Sequence, residues 1–235
     1  MTCKLLADLV RLAVVAITLP LLAANSADDS ATQAPHVTST QHVDFASGGA
    51  IHIDGSYGIL QIEGWDRPEV AITVTKSLPS GYERRHPYQA KRLLEGLHVI
   101  AGRTSSTELA ISTSKSNLGI EYEMQVPRNS NLSIHHRTGY VSVSGVTCDI
   151  DATCRRGDLV LWLAENDSYS IDAQSRLGTV SSDLPGTFSS RYLVGRRFSH
   201  ADSSPSRRIT LRDHFGGITI QRLLPESVAP IASGR

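Results

Sequence analysis

Hydrophobic and polar residues alternate along most of this chain from Val43 onward. Ile51 and Ile53, Leu60 and Ile62, and Val70, Ile72 and Val74 share one side of an extended backbone, with His52, Gln61, Glu63 and Thr73 on the other. The period of two predicts half-buried strands, divided by Gly48-Gly49, Gly55, Gly58 and Gly64, and Trp65-Asp66-Arg67-Pro68 forms a turn whose proline cannot continue a ladder. One segment breaks the rhythm: Pro87 to Gly96 sets good helix formers between a first-turn proline and a terminal glycine, which predicts a single short helix. Alternation returns in Leu97, Val99, Leu109 and Ile111, and again in Ile120, Tyr122, Met124 and Val126.

Between Asn131 and Gly186 the sequence aligns on itself. Leu132 to Gly139, Ile150 to Gly157 and Ile171 to Gly178 each run as a short alternating strand through polar residues into a glycine, and a second strand follows each glycine. These glycines lie 18 and 21 residues apart, the span of one coil of a β-solenoid in which each repeat stacks on the next. Ile209 to Ile220 is a further glycine-hinged pair. The expectation is an all-β, single β-solenoid-like domain of short glycine-hinged strands over residues 42–224, with one inserted helix.

The opening Gly49-Ala50-Ile51-His52-Ile53-Asp54-Gly55, the following Gly58 to Asp66, the strand Tyr122 to Pro127 and the repeats at Gly139, Gly157-Asp158 and Gly178 resemble the DUF4097, or putative-adhesin, family of exported bacterial β-strand-repeat proteins. The likeness covers residues 43–222. It implies a β-solenoid on the outer side of a bacterial membrane, with adhesion as a label by analogy and no catalytic residues to carry over. Strand-and-turn motifs specify fold better than function.

The ends differ from this body. Lys4 and Arg11 precede an apolar run from Leu12 to Ala24, too short to span a bilayer, and Ala24 and Ser26 suit a signal peptidase, so residues 1–26 read as a signal peptide. Cys3 lies ahead of the run and not at its end, so it is not a lipoprotein acylation site. Residues 27–41 are small, polar and aperiodic, a flexible leader, and 225–235 read as a flexible tail. These ends predict a protein of the periplasm or cell surface with no membrane span after cleavage.

The whole chain has a formal net charge of zero, and its paired arginines (Arg84-Arg85, Arg155-Arg156, Arg196-Arg197, Arg207-Arg208) are spread among acids, whereas phosphate binding needs a basic stripe. No nucleic-acid partner is expected; the expected partner is an unidentified envelope protein or glycan. Cys148 and Cys154, if joined by an extended strand, stand about 20 Å apart, beyond disulfide reach, and their even spacing reads as two small buried residues on the face of Ile150 and Ala152.

Candidate chemistry is thin. Arg156-Gly157-Asp158 is the tripeptide that integrins bind in exposed loops, but its glycine falls on a repeat hinge. His135 and His136 point to opposite faces of a strand and cannot chelate one metal together, and Asp149 and Asp151 read as turn or solvated acids. Serines and histidines are plentiful, yet no Gly-x-Ser-x-Gly elbow or His-Glu-x-x-His occurs. Trp162 takes the outward register if Leu159, Leu161 and Leu163 face the core. No catalytic, metal or cofactor residues are assigned. The expected role is non-enzymatic binding, adhesion or scaffolding at the cell envelope; the alternatives are a carbohydrate-active enzyme on a β-solenoid and a self-assembling envelope filament.

Overall fold

The computed structural model describes residues 36–78, 82–95, 99–113, 119–164, 168–191 and 194–223. The signal peptide and the C-terminal tail lie outside them. In chain order the elements are β1 (His36–Asp44), β2 (Ala50–Trp65), β3 (Glu69–Ser77), α1 (Tyr82–Arg85), α2 (Pro87–Glu95), β4 (Val99–Arg103), β5 (Glu108–Thr113), β6 (Gly119–Pro127), β7 (Asn131–Ser144), β8 (Ile150–Ala164), β9 (Tyr169–Leu177), β10 (Val180–Ser182), β11 (Thr187–Arg191), β12 (Gly195–Ala201), β13 (Arg207–Phe215) and β14 (Ile218–Leu223).

The protein is mostly strand, as expected, in one large sheet that runs from β1 to β11 and does not close on itself. The helix falls where Pro87 starts it, with the short turn α1 in front. Strand β1 begins at His36, inside the segment read as leader, and pairs antiparallel with β3 along its whole length. Among the described residues no helix is long and apolar enough to cross a membrane.

The middle of the sheet is parallel: β2, β7 and β8 lie side by side, with Gly58 opposite Gly139 and Gly139 opposite Gly157. Between β7 and β8 the stacking of consecutive repeats holds. Beyond β8 it does not, because β13 and β14 pair with the two halves of β8, while β9 and β10 pair with β13 and β14. The last repeat of the chain therefore sits between two repeats that are neighbours in sequence. An alternating strand such as Ile209-Thr210-Leu211 offers the same apolar face as Ile171-Asp172-Ala173, so the pattern alone does not set the order.

Each repeat bends at its glycine. Counting from that glycine, the buried positions are −5 and −3 before it and +2 and +4 after it: Ile134, His136, Val141 and Val143 in β7, and Ala152, Cys154, Leu159 and Leu161 in β8. The step from −3 to +2 is odd, so simple alternation would send the two arms to opposite faces. A glycine at φ +135 (Gly139) or +138 (Gly157) inverts the alternation and turns both arms onto one shared core. Stacking demands glycine as well. A Cβ on Gly157 would lie 1.7 Å from the carbonyl oxygen of Gly139, and one on Gly216 would lie 1.7 Å from that of Gly157.

Candidate functional site

The bend gathers polar residues on two sides of the same line. The −3 positions of the successive rungs are Gly55, His136, Cys154, Asp213 and Ser175, paired in that order across β2, β7, β8, β13 and β9. His136, Cys154, Asp213 and Ser175 are at most 3 % exposed. Burial of polar atoms is costly unless they find partners, and the nearby backbone supplies some. Ser175 Oγ donates to the Gly216 carbonyl at 2.8 Å, and His136 Nε2 stands 3.1 Å from the Gly58 carbonyl. A carbonyl only accepts, so Nε2 carries the proton and Nδ1 is left as a buried acceptor without a partner. That ring packs on Gly55, where a Cβ would lie 2.4 Å from Nδ1.

Asp213 is the acid of this inner row. Its Oδ1 accepts from the Phe215 amide at 3.2 Å, but the buried Oδ2 has no partner. Burial pushes its carboxyl up to about 6, with Asp158 adding to the effect. Burial first, and the Asp213 charge next, push the Cys154 thiol up to about 11. Burial holds the His136 imidazole below its ordinary value, in its neutral form. No group of three or more His, Cys, Asp or Glu among the described residues is arranged to hold a metal ion.

One residue along, the outer side of the bend is different. The −2 positions are Ser56, Arg137, Arg155, His214 and Arg176. Pairings on both sides fix this register: His136 with Cys154 and Thr138 with Arg156, then Asp213 with Ser175 and Phe215 with Leu177. Arg137, Arg155, His214 and Arg176 are all exposed. The −1 positions are Tyr57, Thr138, Arg156, Phe215 and Leu177, with the Arg156 guanidinium 6.0 Å from the centre of the Phe215 ring. Neither row contains a carboxylate. The acid just past the bend, Asp158, accepts from the Gly217 amide at 2.9 Å.

The sequence candidates separate accordingly. Arg156 and Asp158 flank the hinge glycine within a continuous strand, so the tripeptide is not a loop. His135 is exposed and His136 buried, on opposite faces as expected. Cys148 and Cys154 are free, but only Cys154 is buried in the strand: Cys148 precedes β8, is half-buried, and its Sγ donates to the Asn129 carbonyl at 3.0 Å. The reading of two buried residues on one strand face therefore holds for Cys154 alone, because the strand starts at Ile150. Trp162 is half-buried in the outward register, between Ser144 and Gln221.

Two depressions lie on the outer faces of the arms. One, of about 310 Å³, is lined by His52, Ser133, Asp149, Asp151 and Arg208 among others. Its His, Ser and Asp share a row, but Ser133 stands in the middle, which leaves Asp151 two rungs, about 10 Å, from His52. A triad needs the imidazole between the other two. Asp149 Oδ1 accepts from the Arg208 amide at 2.7 Å. The other depression is lined by Gln61, Glu63, Thr73, Glu123, Gln125 and Ser142 among others.

A putative cell adhesion protein from Clostridium sporogenes superposes with a TM-score of 0.50 at 13 % identity, over 80 % of this chain and 100 % of that one. The fold is shared. A putative adhesin from Bacteroides fragilis (TM-score 0.30, 10 % identity, 80 % of this chain and 97 % of that one) and a putative lipid binding protein from Parabacteroides distasonis (0.23, 10 %, 80 % and 97 %) are more distant. No family model matches the sequence, and no curated protein does.

Proposed function

We propose that this chain is an exported, non-enzymatic cell-envelope protein whose stacked repeats form a β-solenoid-like frame for binding or scaffolding. A signal peptide at 1–26 directs export to the periplasm or cell surface. The observation that carries this reading is the parallel register of β2, β7, β8, β13 and β9, which repeats the same outward position on successive rungs and so builds rows of side chains suited to an extended partner. The name of the Clostridium sporogenes neighbour agrees with it. Co-sedimentation of the full chain with purified bacterial envelope tests the role: the protein pellets with envelope and stays soluble without it. Failure to pellet across envelope preparations would overturn it.

A second reading, cleavage of a polysaccharide, is favoured by the depression that holds Asp149, Asp151, His52 and Arg208. It ranks lower because Asp149 is engaged by a backbone amide. Release of reducing ends that Asp151→Asn abolishes would reverse the ranking.

A further inference from the structure

The outer row at the bend has a chemistry that the paired arginines of the sequence conceal. Arg137, Arg155 and Arg176 come from three different repeats, yet each stands two residues before a hinge glycine, and the fold sets them with His214 on four consecutive rungs, about 4.8 Å apart. Arg156 adds a further guanidinium beside the row. Arg137 and Arg155, on adjacent strands, are like charges that repel one another. Arg197 and Arg212 show how the same sheet treats arginines that serve its structure: both bond the Asp172 carboxylate, at 2.8 and 2.7 Å. Among the described residues no such carboxylate meets Arg137, Arg155 or Arg176.

Resting on the envelope-binding role above, we infer that this row is a docking surface for an extended anionic polysaccharide, one that presents an acidic group to each rung. Charge complementarity carries the inference. The parallel register repeats the same position on successive rungs, so the row matches a linear polymer of evenly spaced charges better than a compact anion. It lies along the outside of a bend whose inner side is filled by the core, a ridge and not a groove, so it does not enclose a duplex or enter one. Phe215 and Leu177, both exposed one residue along from the row, offer apolar edges to the faces of sugar rings.

The test is a titration of the full chain with polygalacturonate for the carboxylate form and dextran sulfate for the sulfated form, with neutral dextran and a single-stranded oligodeoxynucleotide as comparisons. At least one acidic polysaccharide binds, neutral dextran does not, and affinity falls as salt rises. Which acidic polymer binds more tightly identifies the source. The variant R137Q/R155Q/R176Q loses at least tenfold in affinity, while R67Q/R84Q/R92Q, which removes the same charge elsewhere, keeps it. Equal losses in the two variants, no binding of either acidic polysaccharide, or tighter binding of the oligonucleotide each overturn the inference. Thermal melts of both variants show whether a loss comes from unfolding, and R155K, which keeps the charge, provides a milder substitution that retains most of the affinity. If wild type and the triple variant pellet equally with envelope, the row is not the docking surface and the envelope role stands. If neither pellets, the envelope role falls with it.

Discussion

The two rows that flank the hinge line are one residue apart in every repeat and differ in almost every physical respect. The inner row of His136, Cys154, Asp213 and Ser175 is buried, and two of its members, His136 and Ser175, are tied to the hinge carbonyls of Gly58 and Gly216. The outer row of Arg137, Arg155, His214 and Arg176 is exposed and, among the described residues, its arginines meet no carboxylate. Both break the rule that each side chain suits its surroundings, and the nature of the breach separates their roles. Buried polar atoms that bond the backbone at the bend serve the fold. Exposed like charges that repel across rungs serve something outside it.

The largest effect should come from breaking the line that both rows flank. Gly157→Ala places a Cβ 1.7 Å from the Gly139 oxygen at φ +138. The strained backbone alone costs about 1–3 kcal/mol, and the clash adds to it. Urea unfolding should show a loss of about 4 kcal/mol or more, or no folded protein.

Next comes the inner row, through pH. The Asp213 carboxyl is raised from 3.8 to about 6 in the folded state, so the native protein holds this proton more tightly than the unfolded chain. Its contribution to stability is complete below about pH 3.8 and is lost as pH rises through about 6, a difference of up to about 3 kcal/mol. Asp213→Asn should remove that fall and be the more stable protein at pH 7, as measured by unfolding across pH. His136 opposes this trend, because burial disfavours its protonated form and stability falls as acid protonates the unfolded chain. Cys154 stays a neutral thiol between them, and Ser175 does not titrate.

A smaller effect separates the cysteines. Cys154 should resist alkylation in the native protein and react only on unfolding, while half-buried Cys148 reacts first, as read by mass spectrometry of partially labelled protein. The smallest effect is a control on the glycines. A Cβ on Gly102, in β4, meets nothing within 4 Å, so Gly102→Ala should change stability by no more than about 0.5 kcal/mol.

The strands, the helix and the bend were legible because they are local: period-two alternation, a proline before helix formers, and a glycine ending each polar stretch. The order of repeats was not. Parallel pairing joins segments far apart in the chain, and the apolar faces of Ile150-Asp151-Ala152, Ile171-Asp172-Ala173 and Ile209-Thr210-Leu211 are interchangeable by pattern. The arginine row was hidden for the same reason. Arg137, Arg155 and Arg176 look scattered until register is known, although their shared distance from a hinge glycine was a signal that could have been found. Net charge pointed the other way, since a neutral total says nothing of how charges are placed.

The most direct test uses two adjacent residues. Ser175→Ala removes the bond to the Gly216 carbonyl, and Arg176→Gln removes one rung of the outer row. Urea unfolding and polysaccharide titration of both variants should give crossed results: Ser175→Ala loses about 1 kcal/mol of stability with unchanged affinity, and Arg176→Gln keeps its stability but binds several-fold more weakly. If Arg176→Gln instead loses stability and keeps its affinity, the outer row belongs to the fold and the division between the two rows is wrong.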